Sequence, residues 1–202
     1  MRPKTRDMTI HRITNPSEAD QHTSRSILTA AFIQDPVMRW LYPRAERYLQ
    51  SFPDFCGAFG GQAFAMGTAW TSEKGGGTAL WLPPNEHVDG EAVQAVVLET
   101  VDHERLPIVG GVLEEMAQYH PKEPCWYLAL IGVDPAQRGQ GLGGQLLETS
   151  LKLCDEDKMP AYLESSNPAN ISLYLRHGFA IMGEIQKNDS PVITPMLREA
   201  RS

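Results

Sequence analysis

The stretch Val133-Asp134-Pro135-Ala136-Gln137-Arg138-Gly139-Gln140-Gly141-Leu142-Gly143-Gly144 joins an apolar run to a long amphipathic segment, and its reading decides the fold. Upstream, Cys125–Val133 is apolar throughout, as expected of a strand buried on both faces. Downstream, Gly141–Asp157 is expected to be helical, with Leu142, Leu146, Leu147, Leu151 and Leu153 on its apolar face. Four glycines within Gly139–Gly144, with an arginine beside them, exceed what a structural turn needs. Small residues let the backbone approach an anion closely, and the free N–H groups and macrodipole of a helix start then hold it.

Two registers compete for this loop. Gly139-x-Gly141-x-x-Gly144 matches a dinucleotide fingerprint, and Glu164, near the end of the next strand, lies 20 residues past Gly144, where that fingerprint wants an acid. A nicotinamide- or flavin-binding redox protein is therefore one reading. Against it, Asp134–Arg138 separate the strand from the first glycine, and only one further β-α-β unit follows. The other register, Arg138-x-x-Gly141-x-Gly143, is a pyrophosphate cradle at a helix N-terminus.

Working outward, Ala161–Glu164 is a short strand and Ala169–His177 a helix with Gly178 as its C-terminal glycine. Asn170 and Tyr174 stand four apart and share a face of that helix, while Glu164 aims a carboxylate at the same cleft. Each has a plain alternative role: an N-terminal cap, a packing aromatic and a solvated charge. Their order behind the glycine loop favours a site. Phe179–Gln186 and Val192–Leu197 close the chain as strands.

Toward the N-terminus, Met8–Thr14 alternates as a strand, and Asn15-Pro16-Ser17-Glu18 starts a helix with Pro16 in its first turn. Ile27, Leu28, Ala31 and Phe32 form its apolar stripe, and Gln34-Asp35-Pro36 ends it. Arg44–Phe59 reads as a second helix. Strands Ala63–Thr71 and Thr78–Leu82 form a hairpin around Ser72–Gly77. Gly90–Glu99 and Val109–Tyr119 are helical. The order predicts a single mixed sheet with helices on its faces.

Composition narrows the classes. The 202 residues suit one large domain, with 42% hydrophobic and 21% charged residues and a mean hydropathy of −0.32. No apolar run reaches the roughly 20 residues that span a bilayer. Met1–Asp7 is basic without a following apolar segment, so a secretory leader is not expected. The net charge of −7 argues against nucleic acid as main partner and suits a cationic acceptor. Three cysteines (Cys56, Cys125, Cys154) and six scattered histidines show no metal or disulfide pattern, and a reducing cytoplasm is the simplest setting. Cys125 and Cys154 read as buried structural thiols, not nucleophiles.

The glycine loop and the Asn-x-x-x-Tyr helix with its Gly-Phe step together resemble the GNAT superfamily of acyl-CoA N-acyltransferases, over about Trp126–Glu184. His120–Ala129 and Leu163–Ser166 are further similar to one member of that superfamily. The resemblance implies a mixed α/β fold: one mostly antiparallel sheet of six to seven strands, a splayed parallel strand pair, and helices on both faces. It implies one acyltransferase domain over residues 1–202, with an acceptor-side half (8–124), an acetyl-CoA-binding half (125–198) and a flexible segment 1–7.

Acetyl-CoA would be the co-substrate, with no metal. Ile131, Gly132 and Val133 would offer main-chain contacts, and an N–H near Val133 would polarise the thioester carbonyl, worth on the order of 3 kcal/mol per donor. Arg138, Gly139, Gln140, Gly141, Leu142, Gly143 and Gly144 would hold the pyrophosphate. Asn170 would orient the cofactor arm or the tyrosine. Tyr174 would protonate the leaving thiolate, and Glu164, directly or through water, would deprotonate the attacking primary amine of a small molecule within a ternary complex. A non-catalytic acyl-CoA sensor remains an alternative. Trp40, Tyr42, Phe64, Trp70 and Trp81 are candidates for an aromatic acceptor site, and a strand edge near the C-terminus would permit a homodimer.

Overall fold

The computed structural model describes residues 9–201, so the expectations for residues 1–7 and for a leader fall outside it. Seven strands form one sheet: β1 (Ile10–Ile13), β2 (Ala69–Ser72), β3 (Gly77–Leu82), β4 (Trp126–Val133), β5 (Ala161–Ser165), β6 (Ala180–Ile181) and β7 (Thr194–Arg198). Their order is β1-β2-β3-β4-β5-β7-β6, antiparallel everywhere except between β4 and β5. This is the expected sheet, and it excludes the doubly wound parallel architecture that a dinucleotide fingerprint requires.

Alternation along the strands splits the apolar residues between two cores. Leu80, Leu82, Tyr127 and Tyr162 face one side, under α1 (Glu18–Ala31), α2 (Pro36–Leu41), α3 (Ala45–Gly60), α5 (Gly90–Thr100) and α6 (Leu106–Tyr119). Ala79, Trp81, Trp126, Leu128, Ala161 and Leu163 face the other, under α7 (Leu142–Ser150), α8 (Lys152–Glu156) and α9 (Ile171–Arg176). The short α4 (Gln62–Ala65) follows α3.

Several boundaries differ from the sequence reading, each for a local reason. Ser17, not Asn15, caps α1: its hydroxyl accepts from the Asp20 amide while Asp20 reaches back to the Ser17 amide, which leaves Pro16 outside. Asp35-Pro36 ends one helix and starts α2, because Asp35 Oδ1 accepts from the Val37 and Met38 amides at 3.0 and 3.2 Å. The expected strand from Ala63 is α4 instead, with Ala63 and Phe64 in the core, and β2 begins only after Gly67 turns at φ 62°. The helix expected over Gly141–Asp157 divides at Leu151, where Ser150 donates back to the Leu146 carbonyl. Of the strand expected over Phe179–Gln186, only β6 and one bridge, Ile185–Ile193, pair; β7 lies inside the sheet, so the edge on that side is the two-residue β6.

Gly132 shows how tightly the sheet meets α1. A Cβ there would stand 2.8 Å from the Ala31 Cβ and 3.0 Å from Leu28 Cδ2. The glycine thus seats the end of α1 directly on β4. Gly132→Val is expected to lower unfolding free energy by about 1–3 kcal/mol, the cost of forcing a side chain into a filled space, measured by urea denaturation.

Candidate active site

The parallel pair is hydrogen-bonded over only two residue pairs, Trp126–Ala161 and Tyr127–Tyr162, after which β4 and β5 diverge. β4 is also bulged: Leu80 pairs with Leu130 and Trp81 with Leu128, leaving Ala129 without a partner on β3. A bulge bends its strand and raises local twist. From Leu128 to Val133, alternate backbone groups of β4 therefore face the gap, with no strand on that side to satisfy them.

Three adjoining cavities meet at this gap. The first, about 560 Å³, is walled by the glycine loop, Ile131–Val133 and α9. Gly139 and Gly141 adopt φ of 76° and 84°, and Gly141 is the left-handed residue that starts α7. A Cβ at Gly139 would meet nothing within 4 Å, so the loop's surface is open. The first amides of α7 have no intrahelical acceptors. These are the features a phosphate group requires, and the residues present fit it.

The loop also differs from expectation. The Arg138 guanidinium donates to the Ala31 carbonyl at 2.6 Å and so caps the C-terminus of α1 while lining the cavity. Leu142 contributes backbone only, its side chain being buried in the core, and Gln140 is exposed and off the wall, where Gln137 stands instead.

The second cavity is a narrow apolar channel of about 120 Å³ beneath Leu128–Ile131. It shares Ile131, Asn170 and Tyr174 with the first. Asn170 closes a 3-10 turn at the head of α9, outside the helix expected to carry it, and it and Tyr174 line the same two cavities. Burial, and next the charge of Asp35, raise the Tyr174 phenol's pKa and hold it protonated. Asp35 is itself buried, which raises its own carboxyl, and it accepts a 2.6 Å hydrogen bond from Ser166 that ties α2 to the end of β5.

The third cavity, about 860 Å³, opens on the other face of the sheet between α5 and α6 and shares Tyr127 and Glu164 with the channel. Glu164 touches the cavity yet is enclosed by protein, and burial pushes its carboxyl up from 4.5 to about 7; a 2.7 Å hydrogen bond from the Tyr127 hydroxyl opposes the shift. The Tyr162 hydroxyl faces the same carboxylate and favours its charged form, but is held just outside full hydrogen-bond geometry and finds no other partner. His120 packs edge-on against both tyrosines, at 5.2 and 4.9 Å between centroids, and burial lowers its pKa, keeping the ring neutral.

Tyr127, Tyr162, His120, Asp35, Ser166 and the Ala129 bulge were not singled out from the sequence. Tyr162 and Glu164 are two apart on one strand and so share a face, a signal that was available; Tyr127 joins them only through the parallel register. Of the aromatic candidates, only Trp40 lines a cavity; Tyr42, Phe64, Trp70 and Trp81 are core residues. Cys56, Cys125 and Cys154 are buried, and burial pushes their thiols up to about 12, 11 and 12, so none is a thiolate nucleophile. Among the described residues no group of three or more metal-ligating side chains converges.

A glycine loop at a helix start, an open cavity on the other face and a channel lined by both Tyr174 and Glu164 thus adjoin at the gap in the sheet. Residues 63–179 match the acetyltransferase (GNAT) family model, and the chain belongs to that family. An uncharacterized N-acetyltransferase of Schizosaccharomyces pombe is 30% identical over 100 residues, spanning 48% of this chain and only 40% of that relative. A Corynebacterium glutamicum structure described as histone acetyltransferase HPA2 and related acetyltransferase superposes with a TM-score of 0.67 at 21% identity, covering 96% and 97% of the two chains. Arylalkylamine N-acetyltransferase 2 from Aedes aegypti does so at 0.63 and 13%, covering 96% and 100%. At these identities the structures share the fold.

Because the folded carboxyl of Glu164 titrates near 7 against 4.5 when unperturbed, the folded state holds its proton more tightly. That stabilisation is fully present below pH 4.5 and is lost as pH rises through 7. Glu164→Gln, permanently neutral, is expected to gain thermal stability relative to the unsubstituted protein between those values and to level off above them, by differential scanning calorimetry.

Proposed function

We propose that the chain transfers an acetyl group from acetyl-CoA to the primary amine of a small molecule, by direct attack within a ternary complex. One observation carries this reading: Tyr174 and Glu164 line a single apolar channel, which shares Tyr174 with the cavity at the glycine loop and Glu164 with the open cavity on the far face. An acid and a base separated in this way serve a reaction whose leaving group and nucleophile arrive from opposite sides.

The amides of Gly141–Gly144 and the loop from Arg138 would hold the pyrophosphate, and the gap-facing backbone of Ile131 and Val133 would pair with the cofactor's arm. Bound acetyl-CoA supplies an activated thioester carbonyl. Asn170, at the junction of the two cavities, would orient the arm or the Tyr174 hydroxyl. Glu164, its carboxyl raised by burial to about 7, would take a proton from the incoming ammonium. Tyr174, kept protonated by its surroundings, would give one to the departing sulfur.

We read the segments His120–Ala129 and Leu163–Ser166 as resembling puromycin N-acetyltransferase, a reading that favours a small-molecule acceptor. Puromycin itself is not carried over, because the acceptor-side half is similar only in layout. Three buried free thiols support a cytoplasmic setting.

The test is release of free CoA from acetyl-CoA across a panel of aminonucleosides, polyamines, amino acids and peptide N-termini. Acetyl-CoA binding with no release for any amine would make the protein a sensor; tight NADH binding without acetyl-CoA binding would overturn the reading altogether. For the mechanism, Tyr174→Phe is expected to keep acetyl-CoA affinity while turnover falls at least roughly tenfold. Turnover should also fall with pH below about 7 as Glu164 protonates, and Glu164→Gln should abolish that limb along with most of the rate.

A further inference from the structure

The cavity between α5 and α6 has a composition that the reaction alone does not demand. Among the described residues, Glu164 is the only acidic residue on its wall, and Lys122 the only lysine or arginine. The rest is mainly aliphatic and aromatic, including Val93, Leu106, Val109, Leu113 and Met116. Leu98, on the same wall, is 53% exposed, an uncovered apolar group at the cavity mouth. Around the carboxylate, Phe59, Tyr127, Tyr162 and His120 form a chain of ring contacts, each pair 4.9–6.3 Å between centroids. A cation beside Glu164 therefore meets one negative charge and the faces or edges of several rings, an environment that favours a single ammonium.

From this the geometry points to the acceptor's class: a monocationic primary amine carried on a bulky apolar or aromatic body, which sits between α5 and α6 with its amine at Glu164. A diamine or polyamine would bring a second cation among aliphatic side chains with no carboxylate to meet it, beside Lys122. Placing an unpaired second cation against these aliphatic walls beside Lys122 is unfavourable. The channel beyond Glu164 repeats the pattern, since no second charged residue lines it.

Gly110 offers a probe of the assignment. It lies on α6 at the cavity wall, and a Cβ there would meet nothing within 4 Å. A Cβ at this position meets no protein atom, so a leucine adds apolar bulk at the cavity wall, and it is a better helix former than glycine.

This inference rests on the acetyltransferase reading only for its kinetic arm, so the test has two arms. Benzylamine through 4-phenylbutylamine, with agmatine and spermidine, are compared first as acceptors by CoA release and then as ligands of the CoA-saturated protein by calorimetry, where no transfer occurs. Both kcat/KM and affinity are expected to rise by up to roughly fourfold for each added methylene. Agmatine and spermidine are expected at least about 100-fold lower. Gly110→Leu should reduce the preference for 4-phenylbutylamine over benzylamine by at least roughly tenfold.

Binding of phenylalkylamines in that order without any CoA release would sink the transferase reading and uphold the cavity assignment. CoA release with agmatine or spermidine as the preferred acceptor would do the reverse. No binding of any phenylalkylamine, or a flat response to chain length, would also overturn the assignment.

Discussion

The two-residue parallel contact between β4 and β5 is the constraint on which the rest of the structure depends. β5 is hydrogen-bonded along its whole length to β7 on one side but to β4 only at Ala161 and Tyr162 on the other. β4 is held along its length by β3, with the bulge at Ala129 adding bend just where the strands part. The result is a sheet with a slot through it. Without the slot, the two cores would be sealed from each other and the cavities on opposite faces could not share lining residues.

The slot explains why two residues from opposite faces can line one channel. Tyr174 belongs to the core under α7–α9, whereas Glu164 shares its face with Tyr127 and Tyr162 on the α1–α6 side. Each is perturbed by burial, but with different consequences. Burial keeps the tyrosine a proton donor throughout the neutral range, while it moves the carboxyl close enough to neutrality to accept a proton and release it again. The hydrogen bond from Tyr127 opposes that shift and keeps the carboxyl near neutrality instead of further up.

Elements made elsewhere serve the same slot. Gly132 lets the end of α1 sit against β4, and Arg138 then reaches across to cap that end, joining the glycine loop to the helix that walls the first cavity. Asp35 starts α2, and its second oxygen takes the Ser166 hydroxyl, which pins the tip of β5 on the diverging side. Loop, helix ends and strand tips thereby hold one another at the position where the chemistry is proposed to occur.

Much of this was legible beforehand. The apolar run Cys125–Val133, the glycines of the loop and the Asn170/Tyr174 spacing follow from local rules of burial, backbone freedom and helical periodicity, so they could be read residue by residue. The mixed sheet and the cofactor side of the cleft followed from them. The acceptor side was not legible, because the surroundings of Glu164 are assembled from α3, β4, β5 and the segment at His120, which are far apart in sequence. Whether a carboxylate is a solvated charge or a base near neutrality depends on burial and on partners such as Tyr127, and these are set by strand register. The dual role of Arg138 and the core positions of Tyr42, Phe64, Trp70 and Trp81 are likewise outcomes of packing. Local periodicity determined most of the elements and the glycine loop; only tertiary contact decided which side chains face the slot, and with what charge.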